Sequence, residues 1–592
     1  MFLRTVKARG GKGVLLEYVR LVEGYRENGK NKQRVVCNLG RKDLLGAHLD
    51  SLIKLLRGER TQAEYIHAGE VRATQAWDWG PMLAARTLWQ DLGLQTILDS
   101  LGGRSERDGV GLSDRALVLV ANRLCAPTSE HGLARWLETD FVCDRKGRRW
   151  LPQWRGEGER LASRSPRVRV TAAQLGAWYR TLDQLFARKA TIERELYLRL
   201  RNLFSLKVDL VLYDLTSTYF EGQGPPTLGA YGHSRDGKSR NRQVLVGVVM
   251  VDGWPITHHV FQGNWRDAKT VKQVLQDLDQ RFGLRRVVFV GDRGMVTLDN
   301  LELLRSRGQG YVVGLNRRRR ADIFRYIEAA KGPWIDCPVG ITAGEKAQPP
   351  RTQVQEVASE REGIRVFVVR SDEREGYERT QRLKAMQRVR DKLEALERRV
   401  ERGKLKAADK IGAAAARILA GNHGHRYYDW ELKDGRFRFF EDPLHFKREQ
   451  ALEGKYLIQT EEKDLTAVEA VSIYKELSEV ERTFANLKDV IEMRPVYHQT
   501  DERVQAHIFV AALAFLLHRA IEKKLKAAGL DVSATEALRA LRSVRVVEFQ
   551  VGREESSRSV TRGSDRAARV LSALGITQLD PPSPPPAAAT VV

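Results

Sequence analysis

With 592 residues, ample apolar content and a formal net charge of +24, the chain is too long for one ordinary domain, calls for about three to five units, and points to a polyanion as its partner. Its four cysteines, Cys37, Cys125, Cys143 and Cys337, form no Cys-x-x-Cys pair, which argues against a cysteine zinc site or disulfide scaffold and fits a reducing cytoplasm. No basic start followed by an apolar run marks a signal peptide, and no apolar stretch reaches the roughly 20 residues needed to span a bilayer, so no membrane partner is expected.

In chain order, residues 1–75 read as a basic β-rich segment, with strands at Leu15–Val22 and Gln33–Leu39 around a turn region Gly24–Lys32. Residues 76–205 read as a helical DNA-binding region. Met82, Leu83, Leu88, Leu92 and Leu94 form one helical apolar face and Leu117–Leu124 another. Pro127-Thr128-Ser129-Glu130 carries the residue types that start a helix, whose apolar face Trp136 and Leu137 close. The basic stretches Arg145–Arg149 and Arg160–Arg169 suit either phosphates or a solvated loop.

From residue 206 the pattern changes. Apolar runs at Val208–Tyr213, Val244–Val251 and Ile256–Phe261 read as strands, and Val271, Val274, Leu275 and Leu278 follow at helical spacing. Val287–Val290 is a fourth strand, a Leu298–Leu304 helix comes next, and Tyr311–Leu315 is a fifth strand. The order β-β-β-α-β-α-β is that of a ribonuclease-H-like α/β core, a mixed sheet flanked by helices, here over 206–318. Residues 319–455 read as an α+β insertion with strands near Ile364–Val369 and Tyr427–Leu432. Between them Met386, Val389, Leu393, Leu396 and Val400 form a coiled-coil-like seam, either an antiparallel arm or a helix packed on the insertion. The core resumes over 456–530 with a strand at Tyr456–Gln459, a long helix through Lys488 and a buried helix at Ile508–Leu517. A helical region over 531–579 and a disordered Pro/Ala-rich tail over 580–592 complete the chain.

Three places carry candidate chemistry. Asp214 and Asp292 each follow an apolar strand, where a carboxylate sits at the mouth of a sheet, and with the first and fourth strands adjacent the two meet. Two close carboxylates repel unless a cation lies between them, and oxygen donors without cysteine or a histidine pair select Mg2+, with Mn2+ able to substitute. The third place is the segment Ile473–Lys488, where Tyr474, Glu481 and Lys488 are spaced seven and seven, and so share one helical face.

These residues resemble the insertion-sequence DDE transposases that carry a Y-R-E-K signature, Tyr-x2-Arg-x3-Glu-x6-Lys. Tyr474, Glu481 and Lys488 hold three signature positions, and Leu477 stands where that pattern has arginine. Lys475, Arg482 and Arg494 are candidates to replace it. The Asp214-Leu215-Thr216-Ser217-Thr218 and Gly291-Asp292-Arg293-Gly294 segments resemble the first two acidic motifs, and the strands followed by a helical region resemble the subgroup numbered sixteen-thirty-four. The resemblance implies a catalytic, metal-binding set of Asp214, Asp292 and Glu481. It also implies DNA contacts from Tyr474, Lys488, Arg293, Thr216 and Arg482. The partners are then double-stranded DNA, as element ends and target, and a second copy on paired ends, in a prokaryotic cytoplasm at the nucleoid. In relatives the insertion accepts a flipped base, for which Trp334 and Trp430 are candidates beside an ordinary buried role. The competing readings are a ribonuclease-H-like nuclease or resolvase, a non-catalytic DNA-binding derivative and a coiled-coil structural protein.

Overall fold

The structure is a computed structural model that describes residues 2–9, 15–42, 71–102, 110–150, 172–204, 210–284, 287–291, 297–315, 321–337, 351–421, 423–551 and 555–582. The Arg160–Arg169 stretch, the motif residues Asp292 and Arg293 and most of the Pro/Ala tail lie outside the described residues. The chain divides into two units, residues 1–75 with 548–558, and residues 76–547 with 559–592.

In the first unit, β1 (Phe2–Arg9), β2 (Leu15–Glu27) and β3 (Lys30–Arg41) form an antiparallel sheet in that order. The turn is tighter than the sequence pattern suggests. Glu27 pairs with Lys30, and Asn28 and Gly29 both take positive φ, 51° and 75°. That is the left-handed two-residue turn for which Asn-Gly is the strongest short-range signal. Several of the ribbon's cations are matched by acids, with Lys32 on Glu27, Arg34 on Glu23 and Lys42 on Glu17.

In the second unit, β4 (Val71–Asp78), whose last residues belong here, leads into α1 (Gly80–Asp91), α2 (Leu94–Leu101), α3 (Leu112–Cys125), α4 (Leu133–Thr139) and α5 (Ala172–Phe204). The expected apolar residues of α1 to α4 are buried. Helix α3 is buried on every side, Arg115 and Arg123 included, so it offers no face to a DNA groove. Helix α4 starts at Leu133 rather than at the Thr128-Ser129 pair, because Asn122 Oδ1 accepts from both the Thr128 amide and hydroxyl and holds that stretch as a turn. Arg145 is bound to Asp99 and Asp114, Arg148 to Asp144, and Arg149 lies over the Trp77 ring. The Arg145–Arg149 run is therefore largely consumed by folding.

The expected core order is observed. It runs β5 (Leu210–Tyr219), β6 (Gln243–Val251), β7 (Trp254–Gln262), α6 (Asp267–Phe282), β8 (Val288–Gly291), α7 (Leu298–Ser306) and β9 (Gly310–Leu315). Strands β5, β6 and β7 are antiparallel neighbours, while β8 lies parallel between β5 and β9. The insertion is less separate than its sequence suggests. After α8 (Ala321–Ala329), its strands β10 (Ile335–Asp336), β11 (Thr352–Val357) and β12 (Arg365–Ser371) extend the same sheet. Strand β15 (Lys455–Thr460) pairs with both β12 and β9. Among the described residues the sheet has nine strands, in the order β10-β11-β12-β15-β9-β8-β5-β6-β7.

The charged seam lies on α9 (Asp372–Glu401). Met386, Val389, Leu393, Leu396 and Val400 pack against Ile411, Ala415 and Leu419 of α10 (Ala408–Gly421) and against the hairpin β13 (Tyr428–Lys433) and β14 (Arg436–Glu441). The seam closes a small lobe with its own core, with α11 (Pro443–Leu452) leading back to the sheet. Helix α12 (Ala467–Ala485) follows, then α13 (Asp501–Ala527), α14 (Ala534–Leu541), the strands β16 (Arg545–Val551) and β17 (Glu555–Val560), and α15 (Asp565–Leu574). The 531–579 region thus holds two strands besides its helices. Helix α13 is long and apolar enough to cross a membrane, but its apolar residues are buried in the core. The four cysteines are free.

Leu393 is fully buried at the centre of the lobe. Leu393→Ala is expected to cost about 2–5 kcal/mol of lobe stability, read by denaturant unfolding; a loss under about 1 kcal/mol would place the seam outside a packed core.

Candidate functional site

The two faces of the sheet have different cores. Val211, Tyr213 and Leu215 of β5 and Phe289 of β8 pack with α6 and α7. Leu212 of β5 and Val290 of β8 pack with Ala470, Val471 and Leu477 of α12 and with α13. Side chains alternate along a strand, so Asp214 shares the α12 face with Leu212. It does not end its strand, as the apolar run suggests, because β5 continues to Tyr219. The ending belongs to the neighbour. Tyr213 pairs in parallel with Gly291, the last residue of β8, and that pair stands one residue before Asp214 and Asp292. Asp214 is half-buried, and its Oδ1 accepts from the Leu215 amide at 2.7 Å. Thr216 and Ser217 just beyond it are buried.

Helix α12 opens with a Thr-x-x-Glu capping box. Thr466 Oγ1 accepts from the Glu469 amide at 3.2 Å, and Glu469 accepts from the Thr466 amide at 2.8 Å. Tyr474 fixes the helix on the sheet, its ring 5.8 Å from that of Tyr456 on β15. Its hydroxyl lies over Gly314 of β9, where any β-carbon would overlap it. Leu477, at the position where the signature has arginine, is 4% exposed in the core and offers nothing to a phosphate. Glu481 and Arg482 belong to the same helix, and their side chains lie outside the described residues.

Lys488 departs from the expected stripe. Regular α-winding stops at Ala485, and Asn486–Val490 forms a π-turn, a rare widening often found at functional sites. Lys488 Nζ meets Asp236 Oδ1 at 2.8 Å, in a pair whose side chains are only 10% and 6% exposed. Arg494 binds the same Asp236 oxygen and reaches Asp489 at 2.7 Å. Burial lowers the Lys488 pKa from its ordinary value, and Asp236 works against that shift. Of the candidate replacements for the missing arginine, Lys475 is turned toward Thr352 of β11, at 3.0 Å, whereas Arg494 stands beside Lys488. Trp334 carries the Arg370 guanidinium 4.3 Å from its ring, and Trp430 stacks on Phe437 at 5.8 Å, so both are engaged in packing.

A family model described as Transposase DDE domain matches residues 209–517, more than half of the chain, and another, described as IS1634 family transposase, N-terminal domain, matches residues 3–65. The chain belongs to the IS1634 family of DDE transposases. No curated protein matches it. Among solved structures it is similar to a piggyBac transposase synaptic complex with hairpin DNA, with a TM-score of 0.32 and 9% identity, covering 78% of this chain and 79% of that one.

The transposase also holds a buried polar cluster that its sequence does not announce. Ligand-type atoms of Glu130, His498 and His507 lie within 4.8 Å of one another, the metal-like grouping found among the described residues. The geometry suits an ion network better than a metal. His507 Nδ1 faces Arg123 Nη2 at 3.3 Å and its Nε2 faces the Met493 carbonyl at 3.2 Å, so both ring nitrogens are engaged. A bound cation would also sit beside a buried guanidinium. Burial pushes the Glu130 carboxyl up, but the His498 hydrogen bond and the charges of His498, His507 and Arg123 outweigh it and leave its pKa lowered. Arg123 also donates to the Glu492 carbonyl at 3.1 Å. The network therefore pins the segment behind Lys488 to α3 and α13. Asp236, Arg123, Glu130 and His498 were missed by sequence reasoning because each lies in an unremarkable local pattern and gains its role from a partner far along the chain.

Gly314→Ala is expected to displace Tyr474 and to cost roughly 1–3 kcal/mol, with Tyr474→Ala in the same chain recovering part of it. Thermal unfolding of the single and double variants checks this; strictly additive losses would separate Tyr474 from Gly314.

Proposed function

We propose that this transposase binds the ends of an insertion sequence, hydrolyses a phosphodiester bond at each end, and transfers the freed 3′ ends to target DNA, with Asp214, Asp292 and Glu481 as its metal-holding catalytic set. The observation that carries the reading is the Tyr213–Gly291 pairing one residue before the two aspartates, on a sheet whose Asp214 face is covered by the helix containing Glu481. A strand that kept this register would set position 292 beside position 214. The mixed sheet with helices on both faces supports a ribonuclease-H-like core, interrupted by the 319–455 insertion and preceded by a β-rich segment and a helical region that select the element ends.

The donor set is all oxygen, which suits Mg2+, with Mn2+ as substitute. Asp214 fits such a role as a half-buried carboxylate on a rigid strand, its Oδ1 steadied by the Leu215 amide. Bound there, divalent metal supplies a lowered pKa for the attacking water and charge stabilisation for the leaving 3′ oxygen. Lys488, Arg293 and Arg482 are assigned to the DNA around the scissile bond, where contacts to phosphates position rather than read it, while Tyr474, seated against Gly314, and the buried Thr216 support the frame beneath them. Arg494, which shares Asp236 with Lys488, supplies the guanidinium that Leu477 lacks. Two copies act on paired ends, in the cytoplasm at the nucleoid.

The test is cleavage of a labelled element-end duplex with Mg2+ or Mn2+, followed by joining to a target plasmid. Asp214→Asn, Asp292→Asn and Glu481→Gln should each cut cleavage by roughly a thousandfold or more, about 4 kcal/mol of barrier, while end binding persists. Retained cleavage removes that residue from the set. Cleavage without joining reduces the reading to a nuclease.

A further inference from the structure

Residues 220–242 connect β5 to β6, leaving the sheet where β5 ends after Asp214. The connection is long but not loose. Ala230 and Gln243 exchange backbone hydrogen bonds of 3.1 and 2.8 Å, and the Gly263 amide donates to the Leu228 carbonyl at 3.1 Å. The Leu228 amide donates to Asp501 on α13 at 3.1 Å, the Arg235 amide to Ser217 Oγ at 3.0 Å, and Asn241 to the Phe220 carbonyl at 2.9 Å. Arg235 is spent on Asp267 at the start of α6, and Asp236 on Lys488 and Arg494.

What the frame presents outward differs from Arg145 and Arg148, which are matched by acids. Lys238 and Arg240 are exposed and Arg242 half-exposed, and among the described residues none of the three has a carboxylate partner. Aromatic rings lie among them. Tyr231 is 64% exposed with the Arg242 guanidinium 5.8 Å from its ring, and Lys238 stands 5.9 Å from the Tyr219 ring. Tyr497, 60% exposed, sits next to Val496, which bridges to Phe220 at the root of the connection. Arg242 also donates to the Gln223 carbonyl at 3.3 Å, which leaves its charge unneutralised. Cations without a carboxylate partner beside exposed aromatic faces are the surface that binds a nucleic-acid backbone while stacking on an unpaired base.

Building on the reading that the chain acts on DNA, we infer that the β5–β6 connection is a second DNA-binding surface. Lys238, Arg240 and Arg242 hold phosphates without regard to sequence, and Tyr231 offers a stacking face to an unpaired base. Tyr219 lies five steps along the strand from Asp214, about 17 Å at the rise of a strand. At about 3.4 Å per base pair, that is roughly five base pairs. The surface therefore reaches DNA flanking the cleaved bond and not the bond itself.

The test uses the full chain with Lys238→Gln, Arg240→Gln and Arg242→Gln combined, binding a duplex of arbitrary sequence and an element-end duplex by fluorescence anisotropy between about 50 and 200 mM salt. Each neutralised phosphate contact contributes about 0.9 to the slope of log K against log salt. The variant should lose roughly 2 to 3 in slope and bind both duplexes about tenfold or more weakly near 150 mM salt, with an unchanged melting temperature. On a duplex with a single-stranded tail, Tyr231→Ala should bind several-fold more weakly and Tyr231→Phe like the wild type. An unchanged slope in the triple variant, beside a wild type that binds, overturns this surface alone. A wild type with no salt-dependent binding overturns the transposition reading with it. Equal binding by the two Tyr231 variants overturns the stacking role.

Discussion

The parallel pairing of β5 with β8 is the constraint on which this architecture turns. Parallel strands cannot be joined by a tight turn and need a crossover, which here is made by the β6–β7 hairpin and α6. The crossover covers one face of the sheet with α6 and α7 and leaves the other to the later helices. Because strand residues alternate, one face of β5 carries Tyr213 into a dry core while the next residue, Asp214, meets the side where α12 packs. A carboxylate on the other face would be buried among Val271, Val274 and Leu278, where its charge could not be sustained without a partner.

Around that pairing the molecule uses ionic contacts to fix segments that apolar packing alone would leave free to slide. Asp236 ties the β5–β6 connection to the turn behind α12. Arg123 and His507 hold the carbonyls of Glu492 and Met493, the two residues that precede Arg494. Buried ion networks are weak sources of net stability, because desolvation offsets much of the attraction, but removing one partner strands the others in a low-dielectric site. Their worth here lies in geometry: Lys488, Arg494 and the strand carrying Asp214 are locked into one frame.

Much of this was legible in the sequence, and the exceptions have physical causes. The β-β-β-α-β-α-β order follows from local apolar patterning, and the adjacency of β5 and β8 was expected from the strand order of a ribonuclease-H-like core rather than from any local pattern. The addition of β10, β11 and β12 to the same sheet is not legible, because pairing between distant strands leaves no local periodic trace. The seven-residue spacing from Tyr474 to Lys488 presumes uniform α-winding, whereas the π-turn at Asn486–Val490 redirects Lys488 toward Asp236, 252 residues away in sequence. The turn at Asn28-Gly29 is written in its two residues, which close it more tightly than the extent of the polar stretch around them suggests. Of the acidic set, the backbone place of Asp214 was legible, though not the continuation of its strand to Tyr219.

Strand β15 lies between β9 and β12 and leads directly into α12. A chain still on the ribosome has its first acidic motif long before its last, and the helix with Glu481 gains its platform only when the whole insertion has emerged and folded beside β9. Chains interrupted by a premature stop within the insertion would lack β15 and the helix that follows it. The sheet beneath α12 is thus complete only once the chain has been made past Thr460, so the order of synthesis sets the order in which the two sides of this face can meet.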